Sequence, residues 1–279
     1  MEINTKAIIE KWQQELINRI SNLNVEPVLN IIQIGNDEAS NKYVTNKVNT
    51  CKKLGINVNL LKFSSLKQDV LENLLAIQDE PTILQLPVQD INVDEAMKWL
   101  KGSIDVDGFT IMQKGKLVNG DVNTLVPATA LGVYRILKET VGDLTGKKVV
   151  IVNRSHLIGQ PLLQLMLKEN AYVSMLHSKT PTERLREELK SADIVITGCG
   201  KRAIFNSKNF RDGQVLIDCS MTSKQGLTGV GDMDKDDILE HLKVKIASGY
   251  GHTGPATVTA LMENVIKSYE YLLEVNNEN

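Results

Sequence analysis

The sequence contains few cysteines and histidines, and their spacing matches no common metal or disulfide pattern. Its three cysteines, Cys51, Cys199 and Cys219, are odd in number, far apart and never paired as C-x-x-C. This argues against disulfides and against a zinc site, so we expect small buried thiols. No H-E-x-x-H or comparable ligand spacing occurs among the four histidines, which are His156, His177, His241 and His252. We predict no metal.

The sequence also lacks a strong net charge and any long apolar run. Its formal net charge of -2 and pI near 6.1 provide no basic field to attract a polyanion, so we do not expect a nucleic-acid partner. The N-terminal stretch MEINTKAIIEKWQQELINRI carries Glu2, Glu10 and Glu15. We therefore expect neither a secretory signal nor a membrane span, and we predict a cytoplasmic globular protein.

The first part of the chain alternates helix and strand patterns. Apolar residues recur at helical spacing over 6–22, behind the capping candidates Asn4 and Thr5. Strand-like PVLNIIQIG ends at Gly35, and helical DEASNKYVTNKVNTCKKLG ends at Gly55. NVNLLKFS and TILQLP then flank the helical KQDVLENLLAIQ, before a turn-rich MQKGKLVNGDVN. The β-α-β-α-β order predicts a parallel sheet covered by helices.

A second α/β series begins near residue 126. Its short strands, KKVVIVN, AYVSMLH, ADIVITGCG, QVLIDCS and VKIAS, are spaced as in a doubly wound nucleotide-binding sheet. The last helix, PATVTALMENVIKSYEYLLEV, is long enough to return to the first domain. We predict two α/β domains with a cleft between them: a catalytic domain of residues 1–125 plus 257–279, and a Rossmann-like domain of residues 126–256.

The loop IVNRSHLIGQP follows a strand and precedes a helix, as a dinucleotide-binding loop does, but lacks the first glycines of G-x-G-x-x-G. Asn reaches positive φ at low cost, so Asn153 is expected to make the turn. Ser155 would contribute its N–H and hydroxyl, and Gly159 would allow close approach of the helix. The alternative interpretation is an ordinary βα turn.

The end of the next strand indicates which dinucleotide would bind. NAD sites commonly place Asp or Glu about twenty residues after the glycine loop, to bind the ribose 2′-hydroxyl. Here His177, Ser178 and Lys179 occupy that place, and Arg154 can add a forked donor from the first loop. These groups suit a 2′-phosphate, so we predict NADP. A solvated loop is the alternative.

Four polar residues of the first domain are candidates for chemistry. Tyr43 and Lys47 are four apart on one helix and share a face, although such pairs are usually plain surface neighbours. Gln85 ends a strand, and the carboxyl ends of parallel strands open into ligand crevices. Asp107 lies with Asp105 in DVDG, where a turn is the simpler explanation.

Ten sequence blocks together resemble one enzyme family. They are YVTNK with LGI downstream, LQLPV, DVDGF, VPATALGV, NRSHLIGQP, LHSKT, ADIVITGCG, DCSMT, GVGDMD and GPATVTALMENVI. Their order and spacing, over nearly the whole chain, resemble the bifunctional methylenetetrahydrofolate dehydrogenase/cyclohydrolase family. The resemblance implies NADP-dependent oxidation of 5,10-methylenetetrahydrofolate to 5,10-methenyltetrahydrofolate, then hydrolysis to 10-formyltetrahydrofolate. It also implies a homodimer.

The resemblance further implies roles for individual residues. Tyr43 would pack against the folate rings, Lys47 would act in the cyclohydrolase step beside Gln85, and Asp107 would hydrogen-bond the pterin. A lysine beside a cationic substrate is pushed toward its neutral form, so Lys47 could assist proton removal from water. The implied cofactor-binding residues are Asn153, Arg154, Ser155, Gly159, His177, Ser178, Met221 and Thr257.

The sequence departs from the family pattern in several places. Asn153 replaces a glycine, Gln113 replaces an asparagine, and IASGYGHTGPAT stands where the family reads T-P-V-P-G-G-V-G-P-M-T. That loop borders folate and nicotinamide in the family. Two alternatives follow: a non-catalytic or monofunctional paralogue that binds folate or NADP, and a shikimate-type dehydrogenase, in which YVTNK and DVDGF would have no reason to occur.

Overall fold

The computed structural model describes residues 1–65, 80–88, 93–220, 230–249 and 251–277. Its chain divides into two compact units. The first unit comprises residues 11–128 and 258–279, and the second comprises residues 1–10 and 129–257. The functional domain boundaries given above stay a prediction. The helix expected for KQDVLENLLAIQ, and Met221, lie outside the described residues.

The described elements follow the predicted alternation of helices and strands. The α-helices are α1 (Thr5–Ile20), α2 (Glu38–Leu54), α3 (Val93–Ala96), α4 (Ile111–Val118), α5 (Ala128–Val141), α6 (Gly159–Lys168), α7 (Thr182–Ser191), α8 (Lys235–His241) and α9 (Thr253–Asn277). The strands are β1 (Val28–Ile34), β2 (Asn57–Phe63), β3 (Thr82–Gln85), β4 (Lys148–Val152), β5 (Tyr172–Leu176), β6 (Ile194–Thr197), β7 (Val215–Asp218) and β8 (Lys245–Ala247). Short 3₁₀ helices span Met97–Trp99 and Ser207–Asn209.

The first unit contains a parallel sheet in the order β2-β1-β3. Local sequence explains the helix that connects β1 to β2. Asp37 caps the start of α2 by accepting a hydrogen bond from the Ser40 N–H at 2.7 Å. Gly55 ends the helix with a left-handed φ of 82°. The connection makes β1 the strand at which the chain order reverses, so ligands are expected at its carboxyl end.

The segment predicted to be turn-rich instead contains the helix α4. Thr110 caps it, with its side chain accepting from the Gln113 N–H. The buried Gln113 side chain donates to the Gly102 carbonyl at 2.7 Å and accepts from the Leu125 N–H at 2.8 Å. These contacts compensate for the weak helix propensity of Gly115 within the helix.

The second unit contains a parallel sheet in the order β5-β4-β6-β7-β8. Chain order reverses at β4, which lies between β5 and β6, as in doubly wound nucleotide-binding sheets. Residues at the start of the chain extend this sheet beside β8, where the Ile3 N–H donates to the Ile246 carbonyl at 2.8 Å. The parallel sheets of both units confirm the predicted α/β class.

The C-terminal helix α9 packs on the first unit, as predicted. Within that unit, the Asn264 amide donates to the carbonyls of Val106 at 2.8 Å and Val126 at 2.7 Å. Gln13 of α1 donates to the Thr259 hydroxyl at 3.1 Å. The buried side chain of Asn264 thereby joins the DVDG loop to the segment that precedes α5.

No helix in the described ranges is both long enough and apolar enough to cross a membrane.

All three cysteines are free thiols, with Cys51 buried and the other two partly buried. Burial raises the pKa of both Cys51 and Cys199 to about 12. These thiols are therefore uncharged near neutral pH.

Candidate active site

Lys47 and Asp107 face each other in the first unit. Lys47 lies on α2 and is 7% exposed, and its Nζ is 3.6 Å from Oδ2 of Asp107. Tyr43, one turn earlier on the same helix, is 43% exposed. A buried cation requires a nearby anion or polar partner, which Asp107 supplies. Lys47 and Asp107 thus belong to one polar cluster, with an exposed aromatic ring on the same helix face.

Asp105 organises the loop that carries Asp107. Its carboxylate accepts from the Gly108 N–H at 3.0 Å and the Thr110 N–H at 2.7 Å. Burial raises the pKa of Asp105 to about 6. A Cβ on Gly108 would lie 2.4 Å from the Leu125 carbonyl oxygen, so a glycine is needed there. Asp105 therefore shapes the turn that the DVDG sequence indicated, and Asp107 remains available to Lys47.

Gln85 ends β3 with a fixed amide orientation. Its Nε2 donates to the Leu86 carbonyl at 2.7 Å. The side chain is 6% exposed, and its Oε1 has no hydrogen-bond partner among the described residues. A buried carbonyl oxygen without a donor is uncommon, because its desolvation is then uncompensated. Gln85 consequently offers a free acceptor at the carboxyl end of the sheet.

The loop after β4 is built on the side chain of Asn153. Its Oδ1 accepts from the Ser155 N–H at 2.7 Å and the Gly159 N–H at 3.1 Å, and its Nδ2 donates to the Gly198 carbonyl. The prediction that Asn153 makes the turn through positive φ is wrong. Within the described ranges, the non-glycine residues with positive φ are Asn170 and Ala203. Asn153 closes the turn with its amide instead.

Gly159 begins α6 directly against this loop. A Cβ at that position would lie 2.1 Å from the Asn153 carbonyl oxygen, so only glycine allows the approach. The Ser155 hydroxyl accepts from the Ile158 N–H at 3.2 Å, and Arg154 is exposed. The helix N-terminus and the cation at this loop favour a bound anion.

The loop after β5 lies beside the loop after β4, because Val152 and Leu176 are partners in adjacent parallel strands. The backbone N–H of His177 donates to the Thr180 hydroxyl at 3.0 Å, which fixes the position of His177. Its Nδ1 accepts from the Lys179 N–H at 3.2 Å. Ser178 and Lys179 are exposed. This loop thus presents hydroxyl and cationic groups and no carboxylate.

Comparison with known proteins assigns the family. Residues 3–107 match the model of the tetrahydrofolate dehydrogenase/cyclohydrolase catalytic domain, and residues 127–273 match that of the NAD(P)-binding domain. The chain belongs to the tetrahydrofolate dehydrogenase/cyclohydrolase family. This confirms the predicted family, its dehydrogenase and cyclohydrolase activities, and the nicotinamide dinucleotide cofactor, and it decides against the shikimate-type alternative.

Individual relatives resemble the chain over nearly its whole length. The bifunctional protein FolD of Bacillus subtilis is 32% identical over 278 residues, with 95% of this chain and 96% of the relative covered. FolD of Staphylococcus epidermidis is 31% identical over 274 residues, with 95% and 94% covered. The crystal structure of the bifunctional dehydrogenase/cyclohydrolase from Thermoplasma acidophilum is 29% identical. It superposes with a TM-score of 0.89 and covers 98% of this chain and 100% of that one.

The loop that departs from the family pattern, around Ser248 and His252, makes polar contacts with other residues of the second unit. Ser248 donates to Oδ2 of Asp218 at 2.9 Å. His252 lies 3.0 Å from the Thr5 hydroxyl through Nδ1 and 3.3 Å from Glu2 through Nε2. Thr257, near the start of α9, donates to the Thr253 carbonyl at 2.9 Å. Tyr250 lies outside the described residues. The unusual Ser248 and His252 thus have defined partners.

The residues of the second unit fit the dinucleotide that the family implies. Gly159 leaves space where a side chain would collide with the loop, and Arg154, Ser178 and Lys179 present donors to an anion. No cluster of three or more His, Cys, Asp or Glu side chains suited to a metal occurs in the part of the chain that the structure describes.

Proposed function

We propose that this protein oxidises 5,10-methylenetetrahydrofolate with NADP and then hydrolyses 5,10-methenyltetrahydrofolate to 10-formyltetrahydrofolate. The observation that carries this proposal is the buried Lys47–Asp107 pair, in a unit where Gln85 also offers a free acceptor. An amine, a carboxylate and an amide together can orient a ring system and move a proton. The two reactions use these groups differently.

For the dehydrogenase step, the protein supplies mainly orientation. NADP, when bound, accepts a hydride from the bridging methylene group. Arg154, His177 and Ser178 would bind its 2′-phosphate, Ser155 and the N-terminus of α6 its pyrophosphate, and Thr257 the nicotinamide end. Met221 would also contact the cofactor. Asn153 and Gly159 would shape the loop. Alignment of two bound rings requires no acid or base, so positioning accounts for the catalysis.

For the cyclohydrolase step, the cationic methenyl substrate would favour the neutral form of the neighbouring Lys47 amine, which would then take a proton from the attacking water. Tyr43 would pack on the folate rings and Asp107 would bind the pterin, both in the same unit as Lys47. Gln85 would hold Lys47 and the polar group that develops during hydration. The methenyl substrate is a cation, and proton removal from the incoming water yields a neutral adduct.

The proposal is tested by incubating the purified protein with NADP and 5,10-methylenetetrahydrofolate. The absorbance of the methenyl product should rise and then decay as it is hydrolysed. A reaction without NADP serves as the control and should show neither phase. Absence of both phases in the complete mixture would overturn the proposal, and a rise without decay would overturn its cyclohydrolase part.

We also propose that the protein is a cytoplasmic homodimer. The family resemblance supports the homodimer, and the composition of the N-terminal stretch supports the cytoplasmic location. Sedimentation equilibrium should give a mass near twice the 31.0 kDa of one chain. A single species at the monomer mass, at the concentrations used for the activity assay, would contradict the dimer.

A further inference from the structure

Gln33 and Gln85 form a pair of buried amides at the carboxyl end of the first sheet. They are register partners in the adjacent parallel strands β1 and β3. Gln33 is 1% exposed and Gln85 is 6% exposed. Both Oε1 atoms are buried and have no hydrogen-bond partner among the described residues. Two adjacent strands thus end in two free acceptors.

The orientation of both amides follows from their neighbours. The Gln33 Nε2 donates to the Ser40 hydroxyl at 3.0 Å and to Oδ1 of Asn41 at 2.9 Å. Asn41 in turn donates its amide N–H to Oδ1 of Asn36 at 2.9 Å. In this relay each nitrogen donates to the next oxygen, which leaves the Gln33 Oε1 as its free end. Gln85 is oriented by its bond to the Leu86 carbonyl.

These amides lie on the Lys47 side of the sheet. The alternate strand residues Ile32, Ile34 and Leu84 belong to an apolar cluster, so Gln33 and Gln85 point to the opposite face. Gln33 contacts Ser40 there, and Ser40 and Lys47 are seven residues apart on α2, hence on one helix face. This is also the end of β1, where the chain order reverses and ligands bind in open α/β sheets.

We infer that the Oε1 atoms of Gln33 and Gln85 bind the water molecule that hydrolyses the methenyl substrate. Adjacent strands lie about 4.8 Å apart, so two acceptors in register at their ends can share one water through its two O–H groups. Both hydrogens are then engaged with acceptors, and an oxygen lone pair is left for the substrate. The inference rests on the proposed cyclohydrolase function and adds Gln33 to it.

The step balances as a hydration followed by ring opening. As the water oxygen bonds to the methenyl carbon, one of its O–H groups turns from its amide acceptor to the Lys47 amine, which takes that proton. The bond from that carbon to N5 then breaks, its electron pair goes to N5, and the remaining hydroxyl proton is transferred there. One substrate cation and one water become 10-formyltetrahydrofolate and one proton.

The test compares the two activities of Gln33→Met, which keeps the length of the side chain but removes its acceptor. Hydration should slow by up to about 100-fold in kcat, since a misplaced nucleophile loses the advantage of orientation. The KM for the methenyl substrate and the kcat of the dehydrogenase should change little. Gln33→Glu, which keeps an oxygen at the same place, should retain more hydrolysis than Gln33→Met.

Asn36→Ala is the matched control, because it removes the exposed end of the relay and leaves the Gln33 acceptor in place. Its two activities should match those of the wild type. Equal losses of both activities in Gln33→Met would show a purely structural amide and overturn the inference, as would unchanged hydrolysis. A wild-type protein without either activity would instead refute the proposed function, and the inference would fall with it.

Discussion

In the first unit the candidate reacting groups are buried, whereas in the second unit the polar groups proposed to bind the cofactor are partly buried or exposed. Lys47, Gln85 and Asp107 are each less than one-tenth exposed. Arg154 and Ser178 are exposed. Asn153 of the same unit is partly buried, and its side-chain amide is hydrogen-bonded to the backbone of its own loop. Buried polar groups strongly constrain one another, while exposed ones are held by their loops. Substitutions in the first unit should therefore slow the cyclohydrolase reaction selectively, whereas substitutions in the second unit should weaken NADP binding.

The largest effect should come from Lys47→Met, which removes the amine and keeps much of the stem. Hydration of the methenyl cation needs a group that exchanges a proton, a contribution of about 10²–10⁴-fold. Cyclohydrolase activity should fall by about that factor, and the methenyl product should accumulate in the coupled assay. Dehydrogenase activity should persist in part, because hydride transfer needs orientation only.

Lys52→Met is the control for Lys47→Met, since Lys52 is an exposed lysine on the same helix. It should keep both activities. Hydrolysis at the wild-type rate in Lys47→Met would remove Lys47 from the mechanism and leave Tyr43 and Lys47 as neighbours on a helix face.

Each unit also contains a buried aspartate that links stability to pH. Burial raises the pKa of Asp105 to about 6 and that of Asp218 to about 6, from ordinary values of 3.8. Since folding raises these pKa values, the folded state binds protons more tightly. The stabilisation is complete below pH 4 and is lost as the pH rises through about 6. At ~1.4 kcal/mol for a difference of one in pKa, each carboxyl accounts for roughly 3 kcal/mol.

Urea unfolding between pH 4 and 7 can distinguish the contributions of the two carboxyl groups to the unfolding free energy. Both tryptophans, Trp12 and Trp99, lie in the first unit, so their fluorescence reports on the unit that contains Asp105. Asp105→Asn should reduce the pH dependence of the unfolding free energy measured by tryptophan fluorescence. Asp218→Asn should reduce only the pH dependence of the unfolding free energy measured by circular dichroism. Asp143→Asn, at an exposed carboxyl, should flatten neither. A fluorescence transition that is independent of pH in the wild type would contradict the assignment to Asp105.

The sequence predicted features that depend on neighbours in the chain and missed those that depend on strand register. Gly55 ends α2 as predicted because caps are local, and the parallel sheets followed from the alternation of strands and helices. Gln33 stands in the mainly apolar strand β1, and only its pairing with Gln85 shows its importance. The α4 helix was missed because the contacts of Gln113 with Gly102 and Leu125 are not local.

Within the second unit, Gly159→Ala should disturb the loop more than any change at its exposed residues. The added Cβ would meet the Asn153 carbonyl oxygen at 2.1 Å, so the loop or α6 must shift. Such overpacking costs about 1–3 kcal/mol of unfolding free energy, and NADP affinity should fall with it. Gly115→Ala in α4, where a Cβ meets nothing within 4 Å, is the control and should be neutral or slightly stabilising. Equal effects of the two substitutions would refute the close-approach argument.

The smallest effect should be the change in cofactor preference caused by Arg154→Ala. Arg154 is exposed, so its bond to a 2′-phosphate is weakened by solvent, and we expect a loss of about tenfold, or ~1.4 kcal/mol. NADP affinity should fall while NAD affinity stays unchanged, because NAD carries a hydroxyl where NADP carries the phosphate. Titration of both cofactors into wild type and variant measures this difference. Equal affinity of the wild type for NAD and NADP would count against the 2′-phosphate site, since the loop after β5 presents His177, Ser178 and Lys179 and no carboxylate that would favour the ribose diol.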